Sequence, residues 1–404
     1  MGTDLDPVVA GYLEREAVVR SFFTAEADRI ARLSRDLATR FLAGGRLLAF
    51  GSGAAATDAQ HVSVEFVHPV IVGKRALPAI ALPNDAASMS AFWTAEGDGY
   101  FERHLRIVGR PQDVVLGIAH DEPGTEAIMR TLRAARPLHM LSIALGGGSE
   151  PYDDEGVDHV FRVPSADPFV VQEVQETLYH VLWELVHVFF EHDVSQDAAA
   201  GDSGFLYPFL EGGPADSDRV LADVAASAVA KANDVVGLRQ ASMSSESVVT
   251  AARRIGERLA AGGKILTMGN GGSATDAQDL AVDALAPPAG LTSLNALSLT
   301  ADAAVLTAVG NDVGFDNVFA RQVIAYGDEA DIAIAISTSG GSRNVIAAIE
   351  EAKRRGLLTV GIAGYGGGRL AEVCDVSLVV DADYIPRVQE AQATQYHCLR
   401  RLLG

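Results

Sequence analysis

The most constraining feature of this 404-residue chain is that one sequence pattern occurs in it twice. Residues of the same type recur 218 positions apart over more than half of each copy. The matched pairs are Gly51 with Gly269, Asp58 with Asp276, and Asp113 with Asp331. A fixed displacement over so long a stretch indicates an internal duplication, and therefore two copies of one domain.

The domain bounds follow from where the repeat begins and ends. Near the end of each copy the displacement becomes 217 residues, from Gln172 to Gln389 and from His180 to His397. The segment between the copies is rich in Gly, Asp, Ala and Ser, a composition typical of a linker. We therefore predict a first domain over residues 1–195, a linker over 196–215 and a second domain over 216–404.

Within each copy, short apolar runs alternate with segments of helical periodicity. The runs "RLLAF" and "KILTM" each lead into a glycine turn and a helix, and "DVVLGIA" and "DIAIAIS" do the same further on. Continuous apolar runs of this length are typical of strands buried on both faces of a parallel sheet. The predicted fold class is α/β, with two doubly wound parallel-sheet, three-layer (αβα) domains in tandem, whose ligands bind at the carboxyl ends of the strands.

Composition excludes several classes of partner. The chain has 53 acidic against 32 basic residues, a formal net charge of −21, which disfavours nucleic acid and anionic membrane surfaces. Its two cysteines, Cys374 and Cys398, are too few for a disulfide framework. The N-terminus lacks the pattern of a signal peptide, and the apolar runs are too short to cross a bilayer. We expect a cytoplasmic protein with no membrane or nucleic-acid partner.

The second copy contains three small polar turns suited to a phosphate group. We predict that all three follow strands, where hydroxyls, backbone N–H groups and a helix N-terminus can meet one anion. An ordinary Ser or Thr helix cap is the alternative for any one turn taken alone. The candidate substrate-binding residues are Asn270, Gly271, Gly272, Ser273, Asn311, Asp312, Ser337, Thr338, Ser339 and Ser342.

The first copy has lost these groups. The positions equivalent to Ser337, Thr338, Ser339 and Ser342 are Ala119, His120, Asp121 and Gly124. The carboxylate of Asp121 would repel a phosphate. We infer that the first copy does not bind phosphate in its own pocket.

The first copy instead keeps residues that could bind a metal. His61 and Glu65 are four residues apart on a predicted helix, so their side chains lie on one face. Gln172 and His180 share a face of the last helix of this copy in the same way. Together they form a plausible shell for a divalent metal such as Zn²⁺. The alternatives are a surface ion pair for His61 with Glu65 and a satisfied interior histidine for His180.

The equivalent residues of the second copy are altered. They are Asp279, Asp283, Gln389 and His397. Aspartate reaches one carbon less than glutamate and cannot replace a histidine nitrogen, so a site of the same geometry is not expected there. Whether these four residues form a second working site is left open.

The motifs "GNGGSATDAQ", "VGNDVGF" and "ISTSGGSRNVIAAIEEAKRRG" resemble those of the SIS (sugar isomerase) domain family, and within it the phosphoheptose isomerases. The resemblance covers residues 10–192 and 216–404. It implies isomerisation of sedoheptulose 7-phosphate to D-glycero-D-manno-heptose 7-phosphate, with His61, Glu65, Gln172 and His180 as metal ligands and Glu65 and His180 as the acid/base pair. It also implies that the ten polar-turn residues contact the sugar phosphate.

Family members are single-domain chains that assemble as homotetramers with sites between subunits. The resemblance therefore implies a homodimer of this chain that forms a pseudo-tetramer, with a composite site that takes acid/base and metal groups from the first copy and phosphate turns from the second. A non-catalytic phosphosugar sensor or protein-binding adaptor is the alternative, and an isomerase of another phosphorylated ketose is a third reading.

Overall fold

The computed structural model describes residues 7–71, 73–96, 99–148, 154–194, 217–243 and 245–404. Residue contacts divide the chain into two compact units, and neither is one continuous stretch. We call the first the C-terminal unit; it contains Met1–Ala17, Gly53–His61 and Asp234–Gly404. The N-terminal unit contains Val18–Ser52 and Val62–Asn233. The predicted linker, 196–215, lies outside the described residues, and the predicted domain bounds stay a prediction.

Each unit contains a five-stranded, all-parallel sheet. The strands of the N-terminal unit are β1 (Leu47–Phe50), β2 (Ala79–Ala81), β3 (Val114–Ile118), β4 (Leu141–Gly147) and β5 (His159–Val163). They lie in the order β2-β1-β3-β4-β5. The strands of the C-terminal unit are β6 (Ile265–Met268), β7 (Ala296–Ser298), β8 (Ile332–Ser337), β9 (Leu358–Ala363) and β10 (Val376–Val379). They lie in the order β10-β9-β8-β6-β7. When β6 to β10 are matched in turn with β1 to β5, the two sheets have the same strand order.

Helices lie in most of the connections between consecutive strands, as is usual for parallel pairing. The α-helices of the described residues are α1 (Pro7–Glu14), α2 (Glu16–Leu42), α3 (Ala54–Val67), α4 (Ala86–Glu96), α5 (Tyr100–Val108), α6 (Glu122–Ala135), α7 (Pro168–Val194), α8 (Ser217–Ser242), α9 (Ser245–Ala260), α10 (Gly272–Leu285), α11 (Ala303–Asp312), α12 (Val318–Tyr326), α13 (Arg343–Arg354), α14 (Gly368–Val373) and α15 (Ile385–Leu402). Among the described helices, none combines the length and apolar character that a membrane span needs.

Both faces of the C-terminal sheet are covered. Along β8, Ile332 and Ile334 pack in a cluster with residues of α9, α10 and α15, such as Leu399. The residues between them, Ala333 and Ala335, pack in a second cluster with α12 and α13. Because alternate side chains of a strand point to opposite faces, this division means that helices bury the sheet from both sides. The α/β, doubly wound fold class is confirmed.

The duplication is visible in matching structural details. β1 begins at Leu47 and β6 at Ile265, which are 218 residues apart. Asp113 accepts a hydrogen bond from the backbone N–H of Arg46 at 2.9 Å, and Asp331 accepts one from Lys264 at 2.9 Å. Equivalent aspartates, Asp113 and Asp331, therefore bind the backbone just before the equivalent strands β1 and β6.

The helix nearest the start of the described chain belongs to the C-terminal unit. Val9 and Tyr12 of α1 are buried in the same cluster as Tyr396 and Leu399 of α15. The core of this unit is therefore closed by residues almost 400 positions apart in sequence.

Candidate active site

The first polar turn of the C-terminal unit joins β6 to α10. Gly271 has φ +59° and ψ −127°, a conformation that glycine adopts and side-chain-bearing residues avoid. Gly272 and Ser273 already lie in the first turn of α10. This geometry presents the N-terminus of α10 at the carboxyl end of β6, where parallel α/β sheets bind ligands.

The second polar turn joins β8 to α13. The hydroxyls of Ser337 and Ser342 lie 3.2 Å apart, and Ser339 Oγ accepts a hydrogen bond from the backbone N–H of Gly341 at 3.2 Å. Ser342 stands at the N-cap of α13 but makes no side-chain capping hydrogen bond. The turn thus combines hydroxyl groups with a helix N-terminus that its own cap residue does not satisfy, an arrangement suited to an anion.

A pair of asparagines connects these two turns. Asn270 Nδ2 donates to Asn344 Oδ1 at 2.9 Å, and Asn344 Nδ2 donates to Asn270 Oδ1 at 2.8 Å. Asn344 also accepts from the backbone N–H of Val345 at 3.0 Å. Sequence reasoning missed Asn344 because it lies one residue inside α13, beyond the turn. The motif "SGGSRN" could have revealed it, because Asn344 comes two residues after the N-cap Ser342 and so lies in the first turn of α13.

The third predicted turn is placed differently. Asn311 and Asp312 are the last two residues of α11, and Asn311 Nδ2 donates to Asp312 Oδ1 at 2.7 Å. The prediction that they follow a strand was wrong. The preceding run, "AAVLTAV", is helical, and a short apolar run of this kind is compatible with either structure. Their role in substrate binding stays a prediction.

The equivalent turn of the N-terminal unit is organised around a carboxylate. Asp121 is the N-cap of α6, and its Oδ1 accepts a hydrogen bond from the backbone N–H of Gly124 at 2.8 Å. The side chain thus occupies a helix N-terminus that an anion would need. This contact supports the inference that the first copy lost phosphate binding at this turn.

His61 lies in the C-terminal unit, although the first copy supplies it. Its imidazole is buried, with Nε2 3.2 Å from Gln389 Nε2 and Nδ1 3.7 Å from Asp276 Oδ1. A Cβ added to Gly272 would lie 2.6 Å from His61 Nε2 and would collide with the Gln389 amide. His61, Gln389 and the start of α10 therefore meet at one point, which local sequence patterns could not reveal.

The remaining first-copy candidates lie in the N-terminal unit. Glu65 on α3 is 2% exposed, and His180 on α7 is fully buried. Burial raises the pKa of the Glu65 carboxyl, and the charge of nearby His180 opposes this rise. The pair therefore interacts inside the protein, and neither is a surface residue. Gln172 is also buried on α7.

Glu176 is a further candidate ligand that sequence reasoning missed. It is buried on α7 one turn before His180, and the two residues offer ligand atoms within 4.8 Å of each other. Its signal was the spacing of four residues in "ETLYH", which places a carboxylate and an imidazole on one helix face. The complete four-residue metal shell stays a prediction.

The altered residues of the second copy form a compact buried group. Asp279, Asp283 and His397 offer ligand atoms that all lie within 4.8 Å of one another. His397 Nε2 is 3.5 Å from Asp279 Oδ2, which also accepts a hydrogen bond from the Tyr396 hydroxyl at 3.0 Å. Thr57 donates to the other oxygen of Asp279 at 3.1 Å. Carboxylate and imidazole donors in this arrangement could hold a divalent cation.

The electrostatics of this group are dominated by burial. Desolvation raises the pKa of Asp283 well above its ordinary value, and the neighbouring Asp279 raises it further. The charges of His397 and Arg400 oppose the rise. The carboxylates of Asp279 and Asp283 therefore repel each other when both are ionised in this buried position. A bound cation would offset the repulsion.

These features define the class of protein: tandem doubly wound α/β domains with anion-type turns at strand ends and buried carboxylate and imidazole groups. Comparison with known families is more specific. The family described as the SIS domain matches residues 12–147 and 232–364, which together exceed half of the chain. The chain therefore belongs to the SIS domain family, and it carries two copies of that domain.

Relatives and solved structures agree with this assignment. The chain is 47% identical over 164 residues to a phosphoheptose isomerase of Solidesulfovibrio magneticus, covering 39% of this chain and 78% of the relative. It is 45% identical over 160 residues to the phosphoheptose isomerase of Nitratidesulfovibrio vulgaris strain Hildenborough, covering 38% and 74%. The C-terminal domain of glucosamine-fructose-6-phosphate aminotransferase from Francisella tularensis shares the fold, with a TM-score of 0.61 at 9% identity, over 97% of this chain and 94% of that one.

Proposed function

We propose that this chain is a phosphosugar aldose-ketose isomerase that converts sedoheptulose 7-phosphate to D-glycero-D-manno-heptose 7-phosphate. The observation that carries the proposal is the reciprocal Asn270–Asn344 hydrogen bonding, which holds two anion-type turns together in the unit that also contains His61 and Gln389. The names of the similar isomerases support the reaction and the substrate.

Phosphate binding would use the turns of the second copy. Ser337, Ser339 and Ser342 would donate hydroxyl hydrogen bonds, and the N-terminus of α13 would favour the negative charge. The phosphate is remote from the reacting carbons, so its binding energy would serve to fix their position.

Proton transfer would use the buried pair of the first copy. Glu65, in its ionised form, would remove a proton from the carbon beside the carbonyl and return it to the neighbouring carbon through an enediol. His180 would move a proton between the two oxygens. Burial favours this role for Glu65 because a base whose pKa is raised toward neutrality accepts a proton more readily.

The buried donors fit a divalent metal. Glu176 and His180 in one unit offer ligand atoms within 4.8 Å of each other, and so do Asp279, Asp283 and His397 in the other unit. Carboxylate and imidazole groups of this type hold divalent ions. We propose Zn²⁺, which when bound would polarise the substrate carbonyl.

Turnover on this proposal needs residues of both copies, because the phosphate turns belong to the second and the acid/base pair to the first. We further propose the homodimer that the family resemblance implies. Size-exclusion chromatography with light scattering would measure its mass.

The test is turnover of sedoheptulose 7-phosphate by the purified chain, followed by NMR, for the wild type, Glu65→Gln, Ser339→Ala and Asp121→Ser. Asp121 occupies the first-copy position equivalent to Ser339, and serine retains a helix cap there, so Asp121→Ser is the matched control. We expect activity to fall in the first two variants and to be unchanged in the third. A panel of pentose, hexose and heptose phosphates assayed in parallel would identify the substrate.

A wild type that binds a sugar phosphate without converting any member of the panel would refute the isomerase proposal and support a phosphosugar sensor. Unchanged turnover in Ser339→Ala would refute the assignment of the phosphate turn.

A further inference from the structure

Tyr365 has a backbone conformation that side-chain-bearing residues avoid. It is the second residue after β9, and its φ of +51° lies in the left-handed region. A bulky side chain is unfavourable there, so this conformation costs free energy of folding. Glycine would remove the cost, and glycine does occupy the position before Tyr365 and the three after it. A tyrosine kept at the one remaining position points to a use for its side chain.

The turn that contains Tyr365 packs against the predicted phosphate turn that follows β8. The backbone N–H of Gly364 donates a hydrogen bond to Ser337 O at 3.2 Å. On the other side of Tyr365, Gly367 lies so close to Gly340 of the phosphate turn that a Cβ on Gly340 would be 2.2 Å from Gly367 O. These contacts hold Tyr365 beside the phosphate turn, at the carboxyl end of the sheet where ligands bind.

The first copy has glycine at the equivalent position, Gly148. The backbone N–H of Gly148 donates to Ser165 O at 3.1 Å, and the backbone N–H of Tyr365 donates to Ala382 O at 3.1 Å. Both donors and both acceptors are 217 residues apart in the sequence, so the two contacts are equivalent. Gly148 also has a positive φ, +124°. Glycine therefore stands in the copy whose turn lacks the serines, and tyrosine stands in the copy whose turn has them.

The two copies also differ in which residue fills the space beside this turn. In the first copy, a Cβ added to Gly148 would lie 2.4 Å from Cγ of Glu122, so the glutamate side chain occupies that space. The second-copy equivalent of Glu122 is Gly340, which leaves the space to the side chain of Tyr365. A carboxylate repels a phosphate, whereas a tyrosine hydroxyl can donate a hydrogen bond to it.

The side chain of Tyr365 is accessible to a ligand, because it is 43% exposed. Tyrosine combines an apolar ring with a hydroxyl donor, which suits a sugar carbon chain that ends in a phosphate. We infer that Tyr365 is a substrate-binding residue, and that its side chain contacts the phosphorylated end of the sugar held by the turn after β8. The inference rests on the proposed function for the identity of that ligand.

The experiment compares Tyr365→Gly with the wild type in binding and in stability. The probe is sedoheptulose 7-phosphate reduced at its carbonyl to the alcohol, which keeps the phosphate but cannot be isomerised. Isothermal titration calorimetry measures its affinity, and thermal melts without the probe measure Tm. Tyr326→Ala is the matched control, because Tyr326 is 41% exposed and ends α12, in the connection that leads to the amino end of β8.

We expect Tyr365→Gly to bind the probe more weakly by roughly fivefold, an effect of the size of one lost hydrogen bond. Its Tm should equal or exceed that of the wild type, because glycine adopts the left-handed conformation without strain. Tyr326→Ala should bind the probe as the wild type does.

The inference is overturned if Tyr365→Gly keeps the wild-type affinity, or if the wild type does not bind the probe. Weaker binding together with a lower Tm would also overturn it, since that result would indicate a structural role for Tyr365. Failure of the proposed function would instead appear as absent turnover of sedoheptulose 7-phosphate by a wild type that binds the probe.

Discussion

The side-chain amides of Asn270 and Asn344 donate hydrogen bonds to each other, at 2.9 and 2.8 Å, and so join the turn after β6 to the start of α13. We expect Asn344→Ala to loosen both turns and raise the KM for the sugar phosphate by roughly tenfold, the effect of about 1.4 kcal/mol, with a smaller change in kcat. Steady-state kinetics would measure both constants. Asn295→Ala, at an exposed position outside the site, is the control, and an equal rise in its KM would contradict this role for Asn344.

A substitution at Gly272 would test whether the close approach of Gln389 and His61 to the start of α10 matters for activity. Alanine is a better helix former than glycine, so Gly272→Ala should not weaken the helix itself, but its Cβ would displace Gln389 and His61. We expect a loss of turnover of at least tenfold. Gly256→Ala on α9 is the matched control, because nothing lies within 4 Å of a Cβ there, and it should raise stability by about 0.5–1 kcal/mol. Full activity of Gly272→Ala would show that the space beside the glycine is not needed.

The pH dependence of the rate should report Glu65. The base must be ionised to accept a proton, and burial raises its pKa, so kcat/KM should increase with pH through a value above the ordinary glutamate range. Glu65→Gln should lower kcat by about 10²–10⁴-fold and remove this limb of the profile. Exposed Glu102→Gln should leave the profile unchanged. A wild-type rate independent of pH over this range would argue against Glu65 as the base.

Asp283 should make stability depend on pH. Its pKa is raised in the folded state by burial and by Asp279, so the folded chain binds more protons than the unfolded chain between the two pKa values. The free energy of unfolding should therefore fall as pH rises from the ordinary aspartate pKa through the raised value.

Asp283→Asn should remove this contribution and raise Tm at pH 8 by roughly 2–4 °C, the shift that about 1 kcal/mol produces in a domain of 150–250 residues. Thermal melts from pH 4 to 8 with EDTA would measure it, because a bound cation would mask the effect. Asp383→Asn, at an exposed position, serves as the control. A variant with the wild-type slope would assign the pH dependence to other groups.

Local patterns predicted much of the fold. The runs "KILTM" and "DIAIAIS" form β6 and β8, and the glycine turns after them lead into α10 and α13. These elements were predictable because the periodicity of a strand or a helix depends on residues close together in the sequence. The segment "VGNDVGF" was expected to follow a strand, but the residues before it form the helix α11. A short apolar run does not distinguish a strand from a helix.

The candidate site was less predictable, for a physical reason. Spacing indicates which residues share one helix face, as for Glu176 and His180, but it carries no information about which helix packs against that face. His61 was grouped with Gln172 because both belong to the first copy, whereas tertiary packing places it beside Gln389. The partner Asp276, 3.7 Å from His61 Nδ1, was missed for the same reason.

The packing of α1 against α15 has a consequence for synthesis of the chain. Val9 and Tyr12 are buried in one cluster with Tyr396 and Leu399, so these contacts form only after the residues between α1 and α15 have been made. At about 5–20 residues per second, the intervening 390 residues take roughly 20–80 s to translate. Until then, the packing of α1 against α15 cannot form. A fused gene therefore guarantees equal amounts of both copies, and it delays completion of the core of one of them until α15 has been made.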